Sequence, residues 1–318
     1  MKRSTAFISS AALAAFAAGC GASQPALTPA TASAPAASWV DPRAATSDLL
    51  YVSDDAKNVY MYSYPAGTRV GAITGLLGPA GLCTDNAGHI FVTNTIGENI
   101  IEYERGHINA VTKLSDFGYN PDGCAFDPTT GNLAVANYGT PGGGPGSVAI
   151  YAKASGSPTI YQDANFGPYF FCTYDPKGNL YVDGVSVGST KTEFAELKNG
   201  SSTFTDIAID RAISYPGAVQ WDGKYFAIED IFRDVVYRLK IAGAKATVAQ
   251  TVHFTRQRGK LLVQFEVANS TIFMPFGMIY RRIHDAGAWS YPGGGAPTKV
   301  IDIKGSTELY GIALSTAK

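Results

Sequence analysis

The sequence carries little charge and almost no excess of either sign. Lys, Arg, Asp and Glu make up 16% of its 318 residues, and the formal net charge is −1 at neutral pH. Without a broad basic field, the chain lacks the electrostatic footprint of proteins that bind nucleic acid or anionic lipid. One short basic run, Arg256, Arg258 and Lys260, is typical of a solvated loop. We therefore expect no nucleic acid partner.

The common catalytic and cofactor-binding motifs are also missing. There is no H-E-x-x-H pair and no phosphate-binding loop. These absences exclude the enzyme classes that such motifs define, and no redox-cofactor motif replaces them. Histidine is scarce, and its copies lack the spacing of metal ligands; they are His89, His107, His253 and His284.

The N-terminus predicts an export signal. Lys2 and Arg3 precede an apolar run over 6–18, which is too short to span a bilayer. The run ends in Ala-Ala-Gly-Cys at Cys20, which resembles the lipobox of bacterial lipoproteins, although the leucine usual three places earlier is alanine here. The resemblance implies a signal peptide over 1–19 and a lipid on Cys20. An ordinary secretory signal cut nearby is the alternative.

The next segment predicts a tether. Residues 20–47 are rich in Ala, Pro, Ser and Thr, and this composition cannot bury enough apolar surface to offset the entropy of ordering. We expect a flexible connection to a folded domain over 48–318. The protein would then be lipid-anchored in the bacterial cell envelope, on the periplasmic side or the cell surface, with secretion as the alternative.

A short phrase is repeated along the folded domain. Residues 123–137 read GCAFDPTTGNLAVAN, residues 171–184 read FCTYDPKGNLYVDG, and residues 82–94 read LCTDNAGHIFVTN. Each phrase contains an apolar strand (A), a tight turn and a second apolar strand (B). The B strands begin 40 to 47 residues apart, at Leu50, Ile90, Leu133, Leu180, Phe226 and Ile272.

Four strands fit each repeat, because an aromatic-rich strand (C) and a more variable strand (D) follow B. A period of about 40 to 50 residues with four strands is typical of a propeller blade. The last A strand, at 310–314, has no B strand after it, whereas the B strand at Leu50 has no A strand before it. We therefore predict an all-β, six-bladed β-propeller of four-stranded antiparallel blades. The C-terminal strand would complete the first blade and close the ring of a monomer.

The pattern P-x-G, a strand, then D-P-x-x-G-N-L-x-V is clearest at 121–135 and, in part, at 175–182. It resembles the repeats of NHL-repeat and gluconolactonase-like propellers over roughly residues 48–316. For gluconolactonase-like enzymes the resemblance also implies a divalent metal, held at the channel mouth by a Glu, two Asn and an Asp. Asn120 and Asp122 match part of that set by position, but the early Glu and the second asparagine motif are missing.

The B-to-C loops and the D-to-A loops should share one face of the ring, here called the top face. Polar side chains end the B strands or lead into the A strands at this face, and their oxygens suit Ca²⁺, the candidate metal. The same residue types commonly fix turns by bonding to nearby backbone. The candidates for a ligand or metal site are Asp54, Asn94, Asn120, Asp122, Asn137, Asp183, Glu229 and Asp230.

Two functions follow from this arrangement. The favoured one is a binding or scaffold module that presents its top face to a protein or small-molecule ligand and meets the membrane only through its anchor. The alternative is a divalent-metal-dependent hydrolase of the gluconolactonase-like type. Because one fold hosts many activities, the site and not the fold must decide between them.

The remaining cysteines recur in three successive A strands, at Cys83, Cys124 and Cys172. A disulfide is the first expectation in an exported protein. Packed sheets, however, lie about 10 Å apart, and a disulfide needs Cα atoms within about 7 Å. We therefore expect buried free thiols, with a disulfide as the alternative.

The lipid anchor makes a direct prediction. Cys20→Ser should move the protein from the membrane fraction to the soluble fraction, because the serine variant cannot carry the diacylglyceryl thioether. Fractionation of cells followed by immunoblotting measures the change. Membrane association equal to that of the wild type would contradict the lipoprotein interpretation.

Overall fold

The computed structural model describes residues 37–54, 56–255, 264–278 and 283–317. The predicted signal peptide, Cys20 and the basic run from Arg256 to Lys260 lie outside these ranges. The described residues form six β-sheets and two short 3-10 helices, Pro42–Ala45 and Ala152–Ala154. None of their helices is long and apolar enough to cross a membrane. The prediction of an all-β, six-bladed propeller is confirmed.

The first three blades follow the predicted order of strands. Blade one contains β1 (Trp39–Val40), β2 (Asp48–Asp54), β3 (Val59–Tyr64) and β4 (Thr68–Ile73). Blade two contains β5 (Pro79–Thr84), β6 (Ile90–Asn94), β7 (Asn99–Tyr103) and β8 (Ala110–Ser115). Blade three contains β9 (Asn120–Phe126), β10 (Leu133–Gly139), β11 (Ser147–Tyr151) and β12 (Thr159–Tyr161).

The last three blades repeat this plan with small additions. Blade four contains β13 (Phe166–Tyr174), β14 (Leu180–Ser186), β15 (Thr192–Leu197) and β16 (Thr205–Asp206). Blade five contains β17 (Ala208–Ile209), β18 (Pro216–Trp221), β19 (Phe226–Asp230), β20 (Val235–Ala242) and β21 (Lys245–His253). Blade six contains β22 (Glu266–Ala268), β23 (Thr271–Met278), β24 (Ile283–Ser290) and β25 (Gly294–Asp302).

The chain closes the ring with its own C-terminal strand, as predicted. The strand β26 (Leu309–Ser315) pairs antiparallel with β2, and Leu50 lies opposite Leu314 in their register. This strand is the inner strand of blade one, so the blade combines both ends of the domain. Closure covers the backbone of β2, which would otherwise be the unpaired inner edge of the first sheet.

Part of the predicted tether is folded. Trp39–Val40 forms β1 and pairs with β4, the outer strand of blade one, with Trp39 opposite Ala72. The 3-10 helix that follows is capped by Asp41, whose carboxylate accepts the backbone N–H of Arg43 at 2.8 Å. The prediction of a tether up to residue 47 was therefore wrong for this stretch, because an outer strand offers free backbone groups that a short segment can cover.

The hydrophobic core lies between neighbouring blades. Tyr51 and Met61 of blade one are fully buried and belong to one cluster with Leu82 and Val92 of blade two. Each sheet covers the face of the next, so no blade could bury its apolar residues alone.

The inner strands approach one another very closely around the central channel. A Cβ on Gly81 of β5 would lie 2.3 Å from the carbonyl oxygen of Asp122 in β9. A Cβ on Gly123 would lie 2.6 Å from the carbonyl oxygen of Phe170 in β13. Only glycine permits such contacts between backbones, which explains the glycine of the repeated P-x-G pattern.

This close approach corrects the expectation of three free thiols. Cys83 and Cys124 form a disulfide, with their Cα atoms 5.7 Å apart. The spacing of about 10 Å applies to the middle of packed sheets, whereas inner strands converge on the channel. Cys83 follows Gly81 by two residues and Cys124 follows Asp122 by two, so the glycine contact brings the cysteines together. Cys172 remains free and buried, as expected.

The disulfide should stabilise the fold measurably. It closes a segment of 41 residues, for which the chain-entropy model gives about 4 kcal/mol. We expect Cys83→Ser with Cys124→Ser to lower the free energy of unfolding by about this amount, and reductant to lower that of the wild type similarly. Urea denaturation measures both. The control Cys172→Ala should respond to reductant as the wild type does. Equal stability of the double variant and the wild type would contradict the assignment of a disulfide between Cys83 and Cys124.

Candidate binding site at the top face

Several of the predicted site residues fix turns. The carboxylate of Asp54 accepts the backbone N–H of Asn58 at 2.8 Å and its side-chain amide at 2.9 Å. The side-chain oxygen of Asn94 accepts the backbone N–H of Leu77 at 2.6 Å. Asp230 accepts a backbone N–H from the loop before β18 at 2.9 Å. These side chains close loops of the top face and are not directed together at a ligand.

The two asparagines of blade three have separate environments. Asn137 is fully buried at the end of β10 and donates its amide N–H to the hydroxyl of Ser147 at 3.0 Å. Asn120 is partly exposed and lines a groove at the top face between blades three and four. The structure therefore does not bring the asparagines into one ligand set.

Three acidic side chains, here called the channel acids, come together near the top of the channel. They are Asp122 of β9, Asp183 of β14 and Glu229 of β19, and each is at most 4% exposed. Tyr310 reaches from the inner strand of blade one and hydrogen-bonds to Asp122 in blade three. Asp183 accepts the backbone N–H of Phe171 at 2.9 Å through Oδ1. The other oxygen of Asp183 and Oδ1 of Asp122 are buried without a hydrogen-bond partner.

Burial raises the pKa of two of the channel acids, Asp122 and Asp183. Loss of hydration raises the pKa of Asp122 to about 7, although the bond from Tyr310 lowers it in part. Burial raises the pKa of Asp183 well above its ordinary value, and the neighbouring charges of Asp122 and Glu229 raise it further. Asp122 and Asp183 therefore bind protons more readily than exposed aspartates do.

A row of aromatic rings runs across the top face beside these acids. Neighbouring ring centroids lie 5.7 Å apart for Tyr138 and Phe170, 5.4 Å for Phe170 and Tyr215, and 5.6 Å for Tyr215 and Phe232. The row connects blades three, four and five. Its two ends are open to solvent, with Tyr138 50% exposed and Phe232 67% exposed.

A groove adjoins the Tyr138 end of the aromatic row. It has a volume of about 690 Å³, and Asn120, Tyr138 and Val187 line it together with glycine- and proline-rich loops over 139–145 and 167–168. None of these described lining residues is charged. The sequence prediction missed both the groove and the aromatic row, because it considered oxygen-bearing residues only. The position of Tyr138 directly after Asn137, at the end of a B strand, was the available signal.

A different cluster lies on the opposite face. Among the residues that the structure describes, Asp85, His89 and Glu102 alone form a group of three His, Cys, Asp or Glu with ligand atoms within 4.8 Å of one another. His89 Nδ1 lies 2.8 Å from Glu102, and Asp85 accepts the backbone N–H of His89 at 2.8 Å. Asp175 accepts the backbone N–H of Asn179 in the same way in blade four. His89 therefore lies in the turn between β5 and β6, at the position that Asn179 takes in blade four.

The candidate residues do not fit the calcium site that the gluconolactonase-like resemblance implies. Ca²⁺ needs six to eight oxygens around one point. The channel acids do not bring three carboxylates within 4.8 Å, and the side-chain oxygen of Asn94 already accepts the backbone N–H of Leu77. Among the predicted site residues, Asp122, Asn137, Asp183 and Asp230 each keep one buried oxygen without a hydrogen-bond partner.

No family model matches this chain, and no curated protein does. Solved structures share its fold. A chain in the crystal structure of a nidogen/laminin complex aligns with a TM-score of 0.66 at 13% identity, covering 85% of this chain and 99% of that one. A protein of unknown function from Bacteroides caccae gives 0.63 at 11% identity, covering 85% and 99%. A functionally unknown protein from Desulfotomaculum acetoxidans gives 0.58 at 10%, covering 86% and 100%. At these identities the likeness establishes the β-propeller fold alone.

The raised pKa of Asp122 predicts a pH-dependent stability. In the unfolded chain this carboxyl ionises near 3.8, and in the folded protein near 7, so the folded state loses stability as the pH rises through this window. Asp122→Asn removes this loss of stability, because the amide does not ionise. The free energy of unfolding of the variant minus that of the wild type should therefore increase by roughly 2–3 kcal/mol from pH 5 to pH 8, at 1.36 kcal/mol per pKa unit.

Urea denaturation of both proteins at the two pH values measures this difference. The groups that interact with Asp122 are Asp183, Tyr215 and Tyr310, and the variant leaves all of them in place. Glu104→Gln, in an exposed loop of the opposite face, is the control. A difference that is the same at pH 5 and pH 8 would show that Asp122 does not titrate as described.

Proposed function

We propose that this chain is a protein-binding module that acts through its top face. The observation that carries the proposal is the distribution of exposed large apolar side chains. Five of the exposed large apolar side chains in the described part of the chain lie on outer strands of the blades: Trp39, Val40, Val111, Ile160 and Val300. The others all lie in loops or at strand ends of the top face: Leu77, Ile96, Phe117, Tyr138, Val187 and Phe232.

The exposure of these top-face side chains is large. Phe117 is 85% exposed, Ile96 is 73% exposed and Phe232 is 67% exposed. Apolar patches that remain in contact with water mark interaction sites, and aromatic residues are enriched in the energetic centres of protein interfaces. The loops that carry these side chains belong to blades one to five. A protein surface is therefore a better match for it than a small ligand held at one point.

The fold comparison is consistent with this proposal. One of the similar propeller chains comes from a structure whose title names a complex of nidogen and laminin. The binding named in that title is a property of nidogen and laminin, and a likeness at 13% identity does not identify a partner for this chain. It supports only the use of this architecture as a binding module.

We further propose that the module is exported and held at the cell envelope by a lipid on Cys20. The support is the charged start, the short apolar run and the small residues before that cysteine. The segment between Cys20 and β1 would connect the lipid to the propeller, which would act as a monomer. The resemblance to NHL-repeat propellers rests on the P-x-G and D-P-x-x-G-N-L patterns. The gluconolactonase-like hydrolase has less support, because the channel residues do not form its metal site.

The top-face proposal predicts where substitutions will abolish binding. A library of short displayed peptides is selected on the full chain, and the affinities of the enriched peptides are measured by fluorescence anisotropy. Phe117→Ser and Phe232→Ser should each weaken binding by about tenfold or more, since interface aromatics often contribute more than about 1.4 kcal/mol.

Val111→Ser is the matched control, because Val111 is 51% exposed but lies on the outer strand β8. It should leave the affinity unchanged. Failure to enrich any peptide, or equal losses with the control and the top-face variants, would refute the proposal. A melting curve for each variant separates loss of binding from loss of folding.

A further inference from the structure

The channel acids include two oxygen atoms that could bind a cation. Asp122 Oδ1 and Asp183 Oδ2 are buried, and neither accepts a hydrogen bond. A buried carboxylate oxygen without a partner is costly, so both acids gain if a positively charged donor arrives. Among the residues that the structure describes, no ion pair joins Asp122 or Asp183 to a basic side chain, and Lys191 and Arg233 of the top-face loops pair with Glu193 and Asp230.

The aromatic row adds a second attraction for positive charge at the same place. Besides burial, the pKa of Tyr215 is raised by the proximity of Tyr138 and Asp122, so these aromatic groups lie beside the carboxylate. The face of an aromatic ring attracts an ammonium or guanidinium group, and the attraction grows when water is excluded. A cation at this position would meet ring faces and carboxylates together.

The groove beside Tyr138 determines which kind of residue could flank that cation in a partner. Its described lining is uncharged and consists of glycine, proline, Val187, Asn120 and a few other small or aromatic residues. At Gly142, Gly143 and Gly188 no atom lies within 4 Å of the position that a Cβ would take, so the backbone there is open to a second chain. Apolar residues of an extended segment suit such a surface better than charged ones.

We propose that the partner is a protein that directs a Lys or Arg side chain into the channel mouth, beside Asp122 and Asp183, and lays flanking apolar residues along the groove. The inference rests on the proposed function, because it concerns the same face. Charge complementarity selects the basic side chain, and the exposed apolar residues around the mouth select a protein segment over a small organic cation. The buried carboxylates would give specificity, and the aromatic and apolar contacts would give most of the area.

A double-mutant cycle tests this proposal with the peptides selected on the full chain. We expect a recurrent Lys or Arg next to apolar residues. Replacing that residue by Gln should weaken binding to the wild type by about tenfold or more, but to the Asp122→Asn/Asp183→Asn variant by less than about twofold. Each single Asn variant provides the same comparison if the double variant does not fold. Glu104→Gln is the control and should behave as the wild type.

Several outcomes would overturn the inference while leaving the proposed function intact. One such outcome is that the selected peptides lack a basic residue and still bind the Phe232→Ser variant more weakly than the wild type. Another is that replacing the basic residue by Gln weakens binding to the wild type and to the Asn variants by the same factor. Arginine amide that binds as tightly as the peptides would identify a small cation as the occupant. Peptides that bind independently of Phe117 and Phe232 would instead refute the proposed function itself.

Discussion

The close approach of the inner strands around the channel governs the rest of this molecule. Where Gly81 lies against the backbone of Asp122 and Gly311 against that of Ala80, a side chain of any size would push the blades apart. The ring that results is narrow enough for side chains to reach past a whole blade. Gln264 before β22 hydrogen-bonds both backbone groups of Leu82 in blade two, at 2.9 and 2.6 Å. The same packing draws Cys83 and Cys124 into bonding distance.

The narrow ring also explains why the two faces differ. On the face of the A-to-B turns, aspartates such as Asp127 and Asp175 accept backbone N–H groups of their own turns, which satisfies them locally. At the top face, Asp122 and Asp183 stand where several inner strands converge and water is excluded. Their carboxyls cannot all be satisfied by the turn geometry that serves the opposite face. Aromatic side chains of the top-face loops lie on the same face, so exposed rings and buried acids occur together there.

The sequence predicted the architecture well, because the turn phrase and the apolar strands depend on local chemistry that repeats. The number of blades and the closing strand at Leu314 followed from the spacing alone. The disulfide could not be predicted, since it depends on the distance between strands 41 residues apart. Of the predicted site residues, Asp54 and Asn94 were ordinary turn formers, whereas Asp122, Asp183 and Glu229 do meet. The aromatic row was missed because only oxygen-bearing residues were considered at the ends of the B strands, where Tyr138 and Phe232 also lie.

The closure of blade one by β26 has a consequence for how the chain reaches its folded state. Leu50 and Leu314 pair in the first sheet although nearly the whole domain separates them in sequence. Contacts of such long range form late and slow the folding of β proteins. The first blade therefore stays incomplete until the final strand emerges from the ribosome. For the export that we propose, the same topology would keep the nascent chain unfolded enough to be threaded through a secretion channel.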